Sequence, residues 1–291
     1  MAANAEPDPV LVGVDGSEAS TRAVRWAARE ARLRGAGLHV VHAWLWPLFR
    51  VSLGRSPTIA PGGGLQAEAD RVLARAAATA RAVSPGLVVE TTLAVGEAGT
   101  ELLRRAEGAQ LVVVGSRGLG GFSGLLLGST GIALSAHSPR PVVVVRGDAA
   151  PHGPVVAGID ASAGADAVLR RALREAVLHR AEVLVVHSWS VGLHQAPLAV
   201  EGLDRLEQSA RDRAAELVDK ALARVTPDLD EVAVSVRLGE ASAAADLVAA
   251  SADARLLVVG SRDLGSLRGM LLGSTTHAVL HHAACPVLVE R

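Results

Sequence analysis

The sequence predicts an α/β fold: two tandem, doubly wound, five-stranded parallel-sheet domains of Rossmann-like type. Three observations predict it. First, the chain repeats itself at a constant offset of 145 residues. Gly115-Ser116-Arg117-Gly118-Leu119 returns as Gly260-Ser261-Arg262-Asp263-Leu264, and Gly128-Ser129-Thr130 returns as Gly273-Ser274-Thr275. Gly13-Val14-Asp15 returns as Gly158-Ile159-Asp160, and Val41-His42-Ala43-Trp44 as Val186-His187-Ser188-Trp189. So long a period is domain duplication, not a solenoid, and 291 residues make two domains of ordinary size. Second, short runs that are apolar throughout alternate with amphipathic stretches, the pattern of a parallel sheet covered by helices on both faces. Third, the repeated residues sit where strands end, and doubly wound sheets bind ligands outside the carboxyl ends of their strands.

Each element has a local reason. Val10–Val14 is an apolar run ended by Asp15-Gly16. From Ser17 to about Arg34, Ala23, Trp26, Ala27, Ala31 and Leu33 recur at helical spacing, with Ser17 as N-cap and Gly35 as the stop. Leu38–Trp44 reads as strand. A long connection closed by Pro61-Gly62-Gly63-Gly64 leads to an Ala-rich helix, Leu65–Val83; exposed Trp46, Leu48 and Phe49 would make the connection a lid or a partner surface. Leu87–Val95 is strand, Gly99–Ala106 helix and Leu111–Val114 strand. The glycine-rich loop then leads into a helix, Ser129–His137, and a last strand, Pro141–Val145. The second half gives strand Val155–Ile159, helix Ala161–Arg180, strand Glu182–Trp189, helix Leu203–Val225, strand Glu231–Leu238, helix Ala243–Ala250, strand Leu256–Val259, helix Ser274–His282 and strand Pro286–Val289. Domains of 1–146 and 155–291 are expected, joined by a Pro/Gly-rich linker at 147–154. Matching Glu240 with Glu97 breaks the offset there, which implies small compensating insertions and deletions.

Composition narrows the function. A net charge of −1 carries no footprint for nucleic acid or an anionic membrane surface. No stretch is apolar for long enough to span a bilayer, and the N-terminus has no signal-peptide pattern. The single cysteine, Cys285, excludes an intrachain disulfide and fits a reducing cytoplasm; its place before Pro286 reads as a buried, inert thiol.

The loop carries the chemistry. Gly115 ends a strand; Gly118, Gly120, Gly121 and Gly124 permit positive φ and close backbone approach, so successive N–H groups can form an anion-binding nest. Gly128-Ser129 then opens a helix whose free N–H groups and positive dipole end favour phosphate, with Ser129 and Thr130 hydroxyls as added donors. No lysine is needed, and the chain's only one, Lys220, lies mid-helix. Neither Gly-x4-Gly-Lys-Ser/Thr nor a Gly-x-Gly-x-x-Gly after the first strand is present.

Here the chain resembles the universal stress protein family, in its tandem two-domain form. The family's ATP-binding signature, Gly-x2-Gly-x9-Gly-Ser/Thr, is met in full at Gly115–Ser129, and the Asp ending strand one and the Val-His-Ala-Trp run stand in place. The resemblance implies a site formed in the first domain by Gly13, Asp15, Gly16, Ser17, Val41, Gly115, Ser116, Arg117, Gly118, Leu119, Gly120, Gly121, Gly128, Ser129 and Thr130. Asp15 and Gly16 would face ribose and phosphates, and Val41 would border the adenine. The second site would comprise Gly158, Asp160, Val186, Gly260, Ser261, Arg262, Asp263, Gly265, Gly273, Ser274 and Thr275. Asp263 replaces a signature glycine, which is expected to weaken that site or make it need Mg²⁺. The resemblance also implies paired last strands in a pseudo-twofold unit and a homodimer. The expected protein is a cytoplasmic, nucleotide-dependent stress-response regulator that binds ATP with Mg²⁺ and acts with an unidentified partner protein, without a catalytic residue or dedicated protein metal site. A slow ATPase or nucleotidyl-transfer enzyme and a ligand-free dimerisation scaffold stand as alternatives.

Plainer readings accompany these. Asp15 and Asp160 fit helix caps. Arg117 and Arg262 fit surface charges. His42 and His187 fit a backbone hydrogen bond. His277, His281 and His282 fit a solvated helix face better than a metal site.

Overall fold

The computed structural model describes residues 7–44, 63–118, 127–147, 149–189, 203–225, 232–261 and 272–291. The chain divides into two compact units, Met1–Val145 and Arg146–Arg291. In the first run β1 (Val10–Val14), α1 (Glu18–Leu33), β2 (Leu38–Trp44), α2 (Gly63–Val83), β3 (Val89–Val95), α3 (Ala98–Ala106), β4 (Leu111–Gly115), α4 (Ser129–His137) and β5 (Val142–Val145). The strands lie in the order β3-β2-β1-β4-β5, and every pairing is parallel. The second runs β6 (Val155–Gly158), α5 (Ala165–His179), β7 (Val183–Ser188), α6 (Leu203–Val225), β8 (Val234–Gly239), α7 (Ala243–Ala250), β9 (Leu256–Gly260), α8 (Ser274–His282) and β10 (Val287–Glu290). Its order is β8-β7-β6-β9-β10, again parallel. Strand order reverses between β1 and β4 and between β6 and β9, the switch point where such sheets open a crevice. The expected five-stranded doubly wound units are therefore present.

The core follows from the sequence pattern. Val10, Leu11, Val12, Leu111, Val112 and Val113 on the central strands are wholly buried, because helices cover both faces. α1 turns the small residues Ala23, Ala27 and Ala31 to that sheet, so the helix packs closely. Ser17 caps it, its Oγ accepting from the Ser20 amide at 3.1 Å, and Gly35 at φ +62° ends it.

Two expectations are corrected. The first helix of the second half starts at Ala165, not Ala161. In the first unit Gly16 turns the chain at φ +88°, and α1 follows at Glu18. Ala161 holds the equivalent position without a positive φ, since a Cβ makes that conformation costly. Residues 161–164 make a different turn, and Gly164 becomes a cap with no side-chain bond. Second, the repeat offset does not slip near Glu240. Glu97 caps α3 and Ser242 caps α7, exactly one repeat apart, and Ala43 pairs with Ala94 as Ser188 pairs with Gly239. The shared Gly-Glu-Ala letters misaligned segments whose structural positions keep the offset.

Residues of the 147–154 stretch pack on the second unit: the Ala150 amide donates to the Ala254 carbonyl at 3.2 Å, and the Arg255 guanidinium donates to the Pro151 carbonyl. Among the described residues no helix is long and apolar enough to cross a membrane. The connection at 45–62, with Trp46, Leu48 and Phe49, lies outside the described residues.

Candidate functional site

In the first unit the carboxyl ends of β1, β2 and β4 and the start of α4 enclose a cavity of about 390 Å³. Gly13, Asp15, Val41, Gly115, Arg117, Gly118, Gly128, Ser129 and Thr130, all named from sequence, line it. Gly16, Ser17 and Ser116 are outside the lining and act through the backbone. Ser17 N–H donates to Asp15 Oδ1 at 2.9 Å, which fixes the carboxylate at the turn; Ser17, not Asp15, is the helix cap. Ser17 Oγ donates to the Arg117 carbonyl at 3.4 Å, tying that turn to the glycine loop. Ser116 N–H donates to the Val145 carbonyl, and the Ser116 carbonyl accepts from Gly128 N–H at 2.9 Å, so both ends of the loop are clasped. Leu119, Gly120 and Gly121 lie outside the described residues.

The requirement at Gly118 differs from the expected one. Gly118 has no positive φ; a Cβ there would lie 2.5 Å from Asp15 Oδ2. A side chain at this position would have to displace the Asp15 carboxylate, onto which the loop descends. Gly128 caps α4 without a side-chain hydrogen bond, and Ser129, Thr130 and Gly131 present the first turn of that helix to the cavity. That is the positive end of a helix dipole with unbonded N–H groups, suited to an anion.

The second unit repeats the arrangement around a cavity of about 730 Å³, lined by Gly158, Asp160, Val186, Gly260, Ser261, Gly273, Ser274 and Thr275. Ser162 N–H donates to Asp160 Oδ1 at 2.9 Å, Gly273 N–H to the Ser261 carbonyl at 3.0 Å and Ser261 N–H to the Glu290 carbonyl at 2.9 Å. Arg262, Asp263 and Gly265 lie outside the described residues.

Sequence reasoning missed the apolar wall. Leu102 and Leu247 line their cavities and press on Gly13 and Gly158, where a Cβ would meet a leucine methyl at 2.7 and 2.8 Å. Their recurrence at the repeat offset was the available signal. His42 Nδ1 lies 2.7 Å from the Val14 carbonyl and His187 Nδ1 2.9 Å from the Ile159 carbonyl, so these histidines brace the strand ends. The His277 and His281 rings stand 4.5 Å apart on α8, with His277 and His282 exposed. Burial lowers the pKa of His281, helped by its histidine neighbours and Arg146. Burial pushes the Cys285 thiol up to about 12, which leaves it protonated and inert at neutral pH.

Comparison with known proteins agrees with this architecture. The model of the universal stress protein family matches twice, at residues 7–146 and 152–291. A universal stress protein of Mycolicibacterium smegmatis is 35% identical over 290 residues, covering 97% of this chain and 96% of the relative. A universal stress protein of Mycobacterium tuberculosis is 33% identical over 302 residues, with the same coverage. The crystal structure of a universal stress protein from Archaeoglobus fulgidus superposes with a TM-score of 0.69 at 20% identity, covering 98% of both chains, and so shares the fold. The chain belongs to the universal stress protein family, as a member built of two tandem domains.

Proposed function

We propose that the chain binds ATP in the first domain's cavity and acts as a nucleotide-dependent regulator in the cytoplasm. One observation carries the reading: the opening of α4, capped by Gly128 without a side-chain partner, faces a cavity beside the glycine-loop residues Gly115, Arg117 and Gly118. Phosphates would take the amides and hydroxyls of Ser129 and Thr130, with Arg117 as the nearby cation. The base would lie toward Val41 and Leu102, on apolar wall. Asp15, a hard oxygen donor beside this helix start, suits Mg²⁺, which is held by one or two carboxylates together with substrate phosphates. Among the described lining residues no histidine, cysteine or lysine offers a nucleophile, and Asp15 is engaged at the turn. Regulation rather than turnover is the better reading: bound nucleotide would change the surface formed by the loop, read by a partner protein or by a second copy of the chain.

The test is mass spectrometry of small molecules released from freshly purified, denatured protein, followed by ATP titration. Recovery of an adenine nucleotide at a defined ratio per chain, with negligible steady-state ATP turnover, is expected. Protein that carries no nucleotide and binds none overturns the reading. Rapid turnover abolished by Gly118→Asp establishes an enzyme instead.

A further inference from the structure

The two cavities have different floors. Val41 and Val186 occupy equivalent places, and two residues further along the same strand face come Ala43 in the first cavity and Ser188 in the second. Ser188 Oγ is buried and has no hydrogen-bond partner. Beside it, Ser188 pairs in register with Gly239 of β8, and the side chain of Asp246, from α7, fills the space a Cβ on Gly239 would need. Partners in a parallel pair point to the same face, so the Ser188 hydroxyl and the α7 carboxylate that takes the place of a Gly239 side chain lie on one face of the sheet. Asp246 Oδ2 is also buried without a hydrogen-bond partner.

The first domain has neither group in this state. Ala43 pairs with Ala94, which carries the Cβ that Gly239 lacks. Glu101, the counterpart of Asp246, is held by Arg104 at 3.0 Å and by Arg105. The second domain places Ala249 and Ala250 where those arginines would stand. Ser188 lines the cavity, and Asp246 stands behind that wall, one residue before the lining residue Leu247; two buried polar atoms left unpaired there are costly unless something bonds to them. A carboxylate only accepts, and a hydroxyl both donates and accepts. The pair therefore suits a base edge that offers an amino donor next to a ring acceptor.

We propose that Ser188 and Asp246 form a base-reading subsite peculiar to the second domain, selective for a nucleotide whose base carries an exocyclic amino group. This rests on the nucleotide reading given above for the fold's cavities. The first domain meets the same region of its ligand with apolar side chains. The two sites thus differ in how they discriminate among bases as well as in the loop position held by Asp263. A site with buried polar groups rejects an analogue that leaves them unpaired far better than an apolar wall does.

The experiment uses the full chain and two probes, ATP and purine riboside 5′-triphosphate, which lacks the amino group. Each is titrated while amide hydrogen exchange is followed separately at 128–131 for the first site and at 273–276 for the second. ATP is expected to protect both segments. Ser188→Ala and Asp246→Ala should each raise the ATP concentration for half-protection at 273–276 by about tenfold, the loss expected for one hydrogen bond to a buried group. The curve at 128–131 should not move. The same variants should erase the second site's preference for ATP over the analogue, and Ser188→Thr should retain it. Ser188→Ala reproduces the residue found at Ala43, so a folded variant is assured by precedent within the chain. Unchanged curves at 273–276, or protection by ATP at 128–131 alone, overturn this proposal and leave the nucleotide reading of the first domain standing. Protection at neither segment overturns both.

Discussion

Gly115 and Gly118 stand three residues apart, and a side chain at each would meet a different obstacle. A Cβ on Gly115 would lie 2.7 Å from the backbone carbon and oxygen of Ala19, so the end of β4 and the start of α1 would have to separate. Gly115→Ala is expected to cost about 2 kcal/mol of stability, in the range for overpacking, as measured by urea denaturation. A Cβ on Gly118 would meet only the tip of Asp15, which can swing away. Gly118→Ala should therefore unfold with a midpoint near that of the parent, yet lower first-domain ATP affinity about tenfold, because the displaced carboxylate intrudes on the cavity. A large stability loss at Gly118 together with unchanged affinity would contradict this assignment. The sequence made both glycines visible as motif letters. It could not distinguish positive φ from close approach, because that difference depends on where Asp15 and Ala19 lie in space.

The helices of the two halves share a spacing but not their ends. α1 stops at Gly35, with φ +62°; α5 stops at Arg180, which takes the same left-handed conformation at φ +51°. Arg180 is the only non-glycine residue with positive φ among the described residues. Left-handed backbone costs an L-residue roughly 1 kcal/mol, so Arg180→Gly is expected to stabilise the protein by about that much in chemical denaturation. At α3 the Glu97 carboxylate accepts from Gly99 N–H at 2.9 Å and Thr100 N–H at 2.7 Å. These bonds, Thr100 first, hold its pKa below the usual glutamate value of 4.5. A depressed carboxylate contributes stability that is complete above the unfolded pKa and is lost as pH falls through the folded one. Glu97→Ala should thus be less stable by about 1 kcal/mol at pH 7, and its deficit should shrink as the pH drops below about 4.5. A deficit that stays constant down to strongly acidic pH would mean that the cap is not ionic. Element type and order were legible because parallel strands buried on both faces write long apolar runs, and helices between them write 3.6-residue spacing. The start of α5 was not legible, since one methyl at Ala161 decides it.

At the scale of the whole chain, duplication made the site readable and also concealed its asymmetry. The constant offset showed which residues matter twice, and most of those that are described line a cavity in their own unit. Identity across the offset says nothing about Ser188 against Ala43, or about Asp246 without its arginines, because those differences acquire meaning only when the register of β7 on β8 is known. The central claim is that main-chain amides at the glycine loop and the α4 start hold phosphate. The direct measurement is amide hydrogen exchange across residues 115–131 with saturating ATP and, separately, with adenosine. The account predicts strong protection at Ser129–Gly131 with ATP and little with adenosine. Equal protection by the two ligands, or none by either, would contradict it.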